Sequence, residues 1–181
     1  TILWAAGVKS SAFGELVRDQ AGAETTREGK LKVNADLSVP NYPDIFVVGD
    51  LAAHTQADGK LVPGMAQGAI QGGQFVAKLL KQKLLKPHTQ AKTNGFKYKD
   101  LGSMAVIGRN RAVGDLGKLQ ITGFSAWFLW VVIHIRALID GEQRLTVMTQ
   151  WLWRYLTRKT GDRLITGKPP NTAELQAKFA Q

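Results

Sequence analysis

Two short stretches hold residue types that could do chemistry. The first is Ile45-Phe-Val-Val-Gly49-Asp50, an apolar run closed by a glycine and a carboxylate. A continuous apolar run predicts a strand buried on both faces, as in a parallel sheet. A glycine at the carboxyl end of such a strand admits a ligand to the backbone. The carboxylate after it can accept a hydrogen bond from a ligand hydroxyl, and open α/β sheets bind ligands along that edge. Taken alone, the Gly-Asp pair reads first as a plain turn. The second stretch is Pro63-Gly64-Met65-Ala66-Gln67, which opens a helix predicted over residues 64–83. The N–H groups and positive dipole end of its first turn suit an anion or developing negative charge. Ala66, Gly68, Ala69, Gly72 and Gly73 crowd its front. Glycines inside a helix cost about 1 kcal/mol each against alanine, so they point to close approach of another backbone or of a ligand.

Other elements must position these stretches. Residues 13–20 have the apolar spacing of a short helix, ended at Ala21-Gly22-Ala23. Leu31-Lys-Val-Asn34 alternates like a short exposed strand, and Pro40 and Pro43 mark a turn. Residues 86–95 are polar and turn-rich, which predicts a linker. Residues 96–98, 104–107, 112–113 and 119–121 read as short strands of a small antiparallel sheet. Residues 123–139 are apolar but for Ser125, His134 and Arg136. That stretch is shorter than the roughly 20 residues a bilayer span needs. A second helix is predicted over 143–159, and a polar tail follows Pro169-Pro170. At the start, Thr1-Ile-Leu-Trp4 runs into Ala5-Ala6-Gly7 like a core strand reaching a site. A core strand at the first residue predicts a fragment whose N-terminal portion is missing.

The composition, 44% hydrophobic and 21% charged over 181 residues, is globular and excludes a disordered tail. No cysteine is present, which removes a disulfide scaffold, a thiolate nucleophile, a redox dithiol and a Cys-based zinc site. Three scattered histidines give no metal constellation. His54 reads as part of a polar loop, His134 as a helix-side polar group, and Arg109-Asn-Arg111 as solvated charge or domain docking. Lys and Arg number 24 against 14 Asp and Glu, a net of +10. Residues 91–181 carry +8 of it. Such charge raises nucleic-acid binding as an alternative, or a non-catalytic basic membrane-surface module. Against nucleic acid as a partner, the basic residues interleave with Trp127, Trp130, Trp151 and Trp153 on apolar helices, not on an exposed sheet or loop.

Several segments together resemble the type II NADH:quinone oxidoreductases, single-subunit respiratory flavoenzymes that do not pump protons. They are Trp4-Ala-Ala-Gly-Val8, Ile45-Phe-Val-Val-Gly-Asp50, Ala66-Gln67-Gly-Ala-Ile-Gln71, Gly102-Ser-Met-Ala105 and Ile107-Gly-Arg-Asn-Arg-Ala-Val113, with the Trp-rich end. The resemblance implies an α/β fold: the C-terminal part of a flavoprotein with two Rossmann-like FAD/NAD(P) domains, plus a membrane-anchoring domain with amphipathic helices. Residues 1–9 would end the NADH-binding domain, 10–86 close the FAD-binding domain, and 87–181 form the C-terminal domain. It further implies hydride transfer from NADH to FAD and then two-electron reduction of a membrane quinone.

By the same resemblance Asp50 would bond the ribityl chain of FAD, with Gly49 allowing the approach. Ala66 and Gln67 would bring helix N–H groups to the pyrimidine end of the flavin. Ala5, Ala6 and Gly7 would close the nicotinamide side. Gln67 and Gln71, four apart on one helix face, would meet the quinone, and a neutral amide can bond its oxygen without adding charge. Without that family context the Gln pair is an ordinary polar helix face. Neither G-x-G-x-x-G turn of the family occurs in the chain, so both are expected upstream of Thr1. Leu101 stands where family members often carry a basic residue, and no proton-delivery role falls to it. A neighbouring class, sulfide:quinone reductase, needs a cysteine pair that this segment lacks. On a helical wheel Leu145, Met148, Trp151, Leu152, Tyr155 and Leu156 share one face flanked by basic residues. That pattern suits a helix lying in the bilayer interface, whereas a core helix has one apolar side for ordinary reasons. Expected partners are thus a membrane quinone, an anionic membrane surface, the missing N-terminal portion and a second copy in a homodimer. The expected location is monotopic, on the inner (cytoplasmic) face of an energy-transducing bacterial membrane.

Overall fold

The computed structural model describes residues 9–85, 94–138 and 140–157. The expectations for Ala5, Ala6 and Gly7, for most of the 86–95 linker and for the polar tail lie outside those residues. The fold is mixed α/β, and the chain divides between Lys99 and Asp100 into two units.

In the first unit, helix α1 (Ala12–Ala21) ends on Gly22, whose left-handed φ of 60° stops the helix where the sequence placed its end. Strands β1 (Leu31–Lys32) and β4 (Ala52–Ala53) pair in parallel, while β2 (Ser38–Val39) and β3 (Tyr42–Phe46) form an antiparallel hairpin. Leu31, Val39, Val47 and Ala23 make the core, and Val17 and Leu51 pack against it. Leu31 is fully buried, so β1 is not the exposed strand its alternation suggested.

The 45–48 run also departs from expectation. Asn41 takes a left-handed φ of 69° at the hairpin turn, so β3 runs back along β2 and not parallel to a neighbour. Past the strand only Val47 turns into the core, its N–H donating to Leu37 carbonyl at 2.9 Å. Ile45 and Val48 are 43% and 39% exposed, so the run is not buried on both faces by the described residues.

Helix α2 (Ala66–Leu85) follows, starting two residues later than predicted and buried along Gly68, Gly72 and Leu79. Residues 94–99 close the unit. Residues 96–98 were expected to form a strand, yet residues 94–99 run as a strap outside the described sheets.

The second unit is built as the sequence suggested. Strands β5 (Ser103–Gly108), β6 (Arg111–Asp115) and β7 (Gln120–Thr122) form an antiparallel meander in that order. Helix α3 (Gly123–Ala137) begins directly on β7 at Gly123, where φ is 76°, and buries Ala126 beside the sheet's Ala112. Helix α4 (Gly141–Thr157) is joined to α3 by stacked rings. Trp130 lies over Trp151 at 5.6 Å between centroids, tilted by 9°, and Trp127 over Tyr155 at 5.6 Å. Among the described residues no helix is long and apolar enough to cross a membrane.

Candidate functional site

The Gly49-Asp50 pair opens a single 3₁₀ turn, Gly49–Leu51. Gly49 has φ of 72°, a region that side chains disfavour, and a Cβ there would lie 3.3 Å from the Ala69 methyl. Glycine therefore serves twice, for the conformation and for the closeness of α2. Asp50 is exposed, and its carboxylate carries no hydrogen bond or ion pair among the described residues. Its Oδ1 lies 3.3 Å and Lys30 Nζ 3.6 Å from the point a Gly64 Cβ would occupy. All three border an open cleft of about 730 Å³, also lined by Lys9, Ser10 and Val48. Lys9 donates to Glu15 at 2.9 Å, and that bond with the ammonium charge holds the Glu15 carboxyl below its ordinary range.

Helix α2 starts at the rim of this turn. Gly68 and Ala69 N–H donate to the Met65 carbonyl at 2.9 and 3.2 Å, whereas Ala66 N–H has no backbone partner among the described residues. A Cβ at Gly68 would lie 3.1 Å from Val62 and 3.2 Å from the Pro63 carbonyl, and one at Gly72 3.4 Å from Leu37. These two glycines do mark close approach. Gly73 does not, since nothing lies within 4 Å of its Cβ position.

Gln67 is half-buried at the first turn, and Gln71 follows one turn later on the same side. Gln71 Nε2 donates to the Lys99 carbonyl at 2.9 Å, and Lys99 N–H donates back to Gln71 Oε1 at 2.9 Å. The expected ligand amide is thus engaged twice by the backbone of the strap. One further N–H and one further lone pair remain on it.

The strap is held elsewhere too. Phe96 N–H donates to Ala35 carbonyl at 2.7 Å, and the Phe96 ring packs on Phe75 and His54 at 5.6 and 5.4 Å. His54 is not in a polar loop: it is 4% exposed, and its Nε2–H donates to the Phe96 carbonyl at 3.2 Å. Its partner is 42 residues away, a distance that no local pattern could announce. Arg109 is exposed and takes the docking alternative, within its own unit. It donates to the Tyr155 carbonyl and lies 4.6 Å over the Tyr155 ring, docking the β5–β6 turn on α4. His134 behaves as expected, bonding the Trp130 carbonyl through Nδ1 at 2.7 Å on its own helix. Leu101 is 59% exposed. No group of His, Asp or Glu among the described residues could hold a metal ion.

A second concavity, of about 800 Å³, lies in the other unit between α3 and α4. Trp127, Trp130, Trp151, Phe128, Met148 and Leu152 line it.

Residues 101–160 match the NDH2 C-terminal domain family, and residues 1–73 match the pyridine nucleotide-disulphide oxidoreductase family. The chain is 40% identical over 164 residues to the type II NADH:quinone oxidoreductase Ndh of Mycobacterium tuberculosis, across 91% of this chain and 34% of that protein. A type II NADH:quinone oxidoreductase of Staphylococcus haemolyticus is 36% identical across 76% of this chain and 32% of the relative. The chain therefore spans about a third of the length of the curated relatives it matches. Among solved structures, NDH2 from Plasmodium falciparum in complex with NADH superposes with a TM-score of 0.66 over 90% of this chain and 46% of that one. At 19% identity that likeness shows the fold alone.

Proposed function

This chain corresponds to a C-terminal portion of a type II NADH:quinone oxidoreductase, and from that premise we propose that its parent protein reduces a membrane quinone with electrons from NADH, through FAD. The observation that carries the reading is the Gly49-Asp50 turn lying against the start of α2 beside an open cleft. FAD fits there on local grounds. A hydroxyl-rich chain finds an acceptor in the Asp50 carboxylate, and Gly49 and Gly64 keep the backbone bare of Cβ atoms where it would pass.

Bound FAD supplies the hydride acceptor and the two-electron donor. The chain's own residues bind and orient. Asp50 accepts from a ribityl hydroxyl. The Ala66 and Gln67 N–H groups, at the positive end of α2, would face the pyrimidine edge of bound FAD and favour negative charge there. Gln67 and Gln71 share the face of α2 that flanks the quinone, where the Gln67 amide can donate to a quinone oxygen without adding charge. Leu101 holds no proton.

The reading places the enzyme peripherally on the inner face of the respiratory membrane, attached through α3 and α4 and through anionic lipid, as a homodimer. Exposed Phe124, Phe128, Leu145, Met148 and Leu152 supply apolar area for that contact.

Asp50→Ala in the full-length enzyme tests the flavin site. Losing a charge-assisted acceptor costs about 1.5–3 kcal/mol, so FAD should dissociate at least tenfold more readily. The visible absorption of the purified variant reads this directly. Full flavin retention would remove Asp50 from the site.

A further inference from the structure

The amide of Gln71 bonds the backbone of Lys99 in both directions, at 2.9 Å each way. Such a pairing is what a strand neighbour provides, here supplied by one side chain. The strap carries Phe96, which lines a small space that Gly49, Ala52, His54, Ala69 and Gly72 also border. Phe96 is 8% exposed, held by His54 through its carbonyl and by Phe75 through its ring. Gly95 approaches Ala35 so closely, 3.1 Å from its Cβ position, that the strap has little room to shift sideways. At its far end Lys99 is bonded to Gln71, and the Tyr98 ring lies 4.0 Å from the Gly68 Cβ position.

We propose that Gln71 is a positioning residue, whose amide clamps the 94–99 strap onto α2 and so fixes the wall behind the Gly49 turn and the first turn of α2. Its effect on quinone reduction runs through that clamp, by keeping Gln67 and the helix N-terminus in place, and not through a bond to quinone. The kinetic half of this inference rests on the quinone reading above, while the structural half does not.

The full-length enzyme carrying Gln71→Leu or Gln71→Glu tests it. Leucine fills the space and loses both bonds, so amide exchange at Phe96 and Lys99 should accelerate about tenfold or more at any pH. Glutamate separates clamp from ligand. Protonated, it can donate to the Lys99 carbonyl and accept from the Lys99 N–H as the amide does. Ionised, it sets a negative charge against that carbonyl. Strap protection and quinone KM in Gln71→Glu should therefore be impaired at about pH 8 and recover toward wild type only at about pH 4 and below, with no such trend in wild type. Flavin absorbance checks that each variant is folded.

If exchange at Lys99 is unaltered in Gln71→Leu, the clamp is refuted. A raised quinone KM with an intact, pH-independent strap in Gln71→Glu makes Gln71 a direct ligand and overturns the proposal. Should the enzyme reduce no quinone at all, the exchange result still decides the clamp, and the quinone reading fails separately.

Discussion

Gly49 shows how much one residue can constrain. Its φ of 72° and the 3.3 Å approach of Ala69 both forbid a side chain, so Gly49→Ala should destabilise the chain by about 1–2 kcal/mol. Part of that comes from left-handed strain and part from pushing α2 away. Chemical denaturation with an unchanged m-value would report it, and a midpoint equal to wild type would show that the turn relaxes freely. Gly-Asp at the end of an apolar run was readable because its chemistry is local: turn, carboxylate and helix start lie within 18 residues of sequence, from 49 to 67. The role of Gln71 was not readable, since its partner lies 28 residues on, past a polar stretch with no periodic pattern. Four-residue spacing announces a shared helix face but says nothing of what faces it. The burial of His54 was not readable for the same reason, its partner being 42 residues away, whereas Arg109 takes the docking alternative, onto a carbonyl 46 residues away.

Elements were legible where a pattern repeats. Both long helices of the second unit and its three-stranded meander follow from apolar periodicity and glycine punctuation. The first unit was less so, because strands of two residues leave no period to read and their pairing is set by turns such as Asn41. One such turn is tied by Lys32, which donates to Glu24 at 2.7 Å across the 25–31 bend. That hydrogen bond and the lysine charge lower the Glu24 carboxyl from its ordinary 4.5. A carboxyl depressed in the folded state adds stability above its unfolded value, and loses it as pH falls through the folded value. The contribution should accordingly be full near neutrality and fade in the acid range below about pH 4.5, and salt should weaken it because both groups are exposed. An NMR titration of the Glu24 side chain checks the direction. In Lys32→Met the midpoint should return upward, and a midpoint that stays put would mean the pair is not formed in solution.

At the scale of the whole molecule, the half that carries most of the charge also exposes apolar area. Residues 91–181 carry +8 of the net +10, and the same half exposes Leu145, Leu152 and Leu156 at 63%, 59% and 67%. The helical wheel grouped Trp151 with these leucines, but stacking on Trp130 makes Trp151 part of the α3–α4 contact. Serine at Trp151 would confuse lost packing with lost lipid contact. The cleaner test on the proposed membrane reading replaces Leu145, Leu152 and Leu156 by Ser and spares both tryptophans. Three exposed leucines entering an acyl boundary contribute on the order of several kcal/mol, so binding of the full-length enzyme to liposomes should fall by roughly a hundredfold or more. Flavin absorbance and thermal midpoint should hold, because side chains so exposed contribute little to folding. Basic residues add about 1 kcal/mol each near an anionic surface, so wild-type binding should also weaken with salt and with neutral lipid. Loss of flavin or unfolding in the triple variant would make α4 a packed helix of an assembly. In that case a homodimer that dissociates on substitution, with liposome binding unaffected, would account for the apolar face instead.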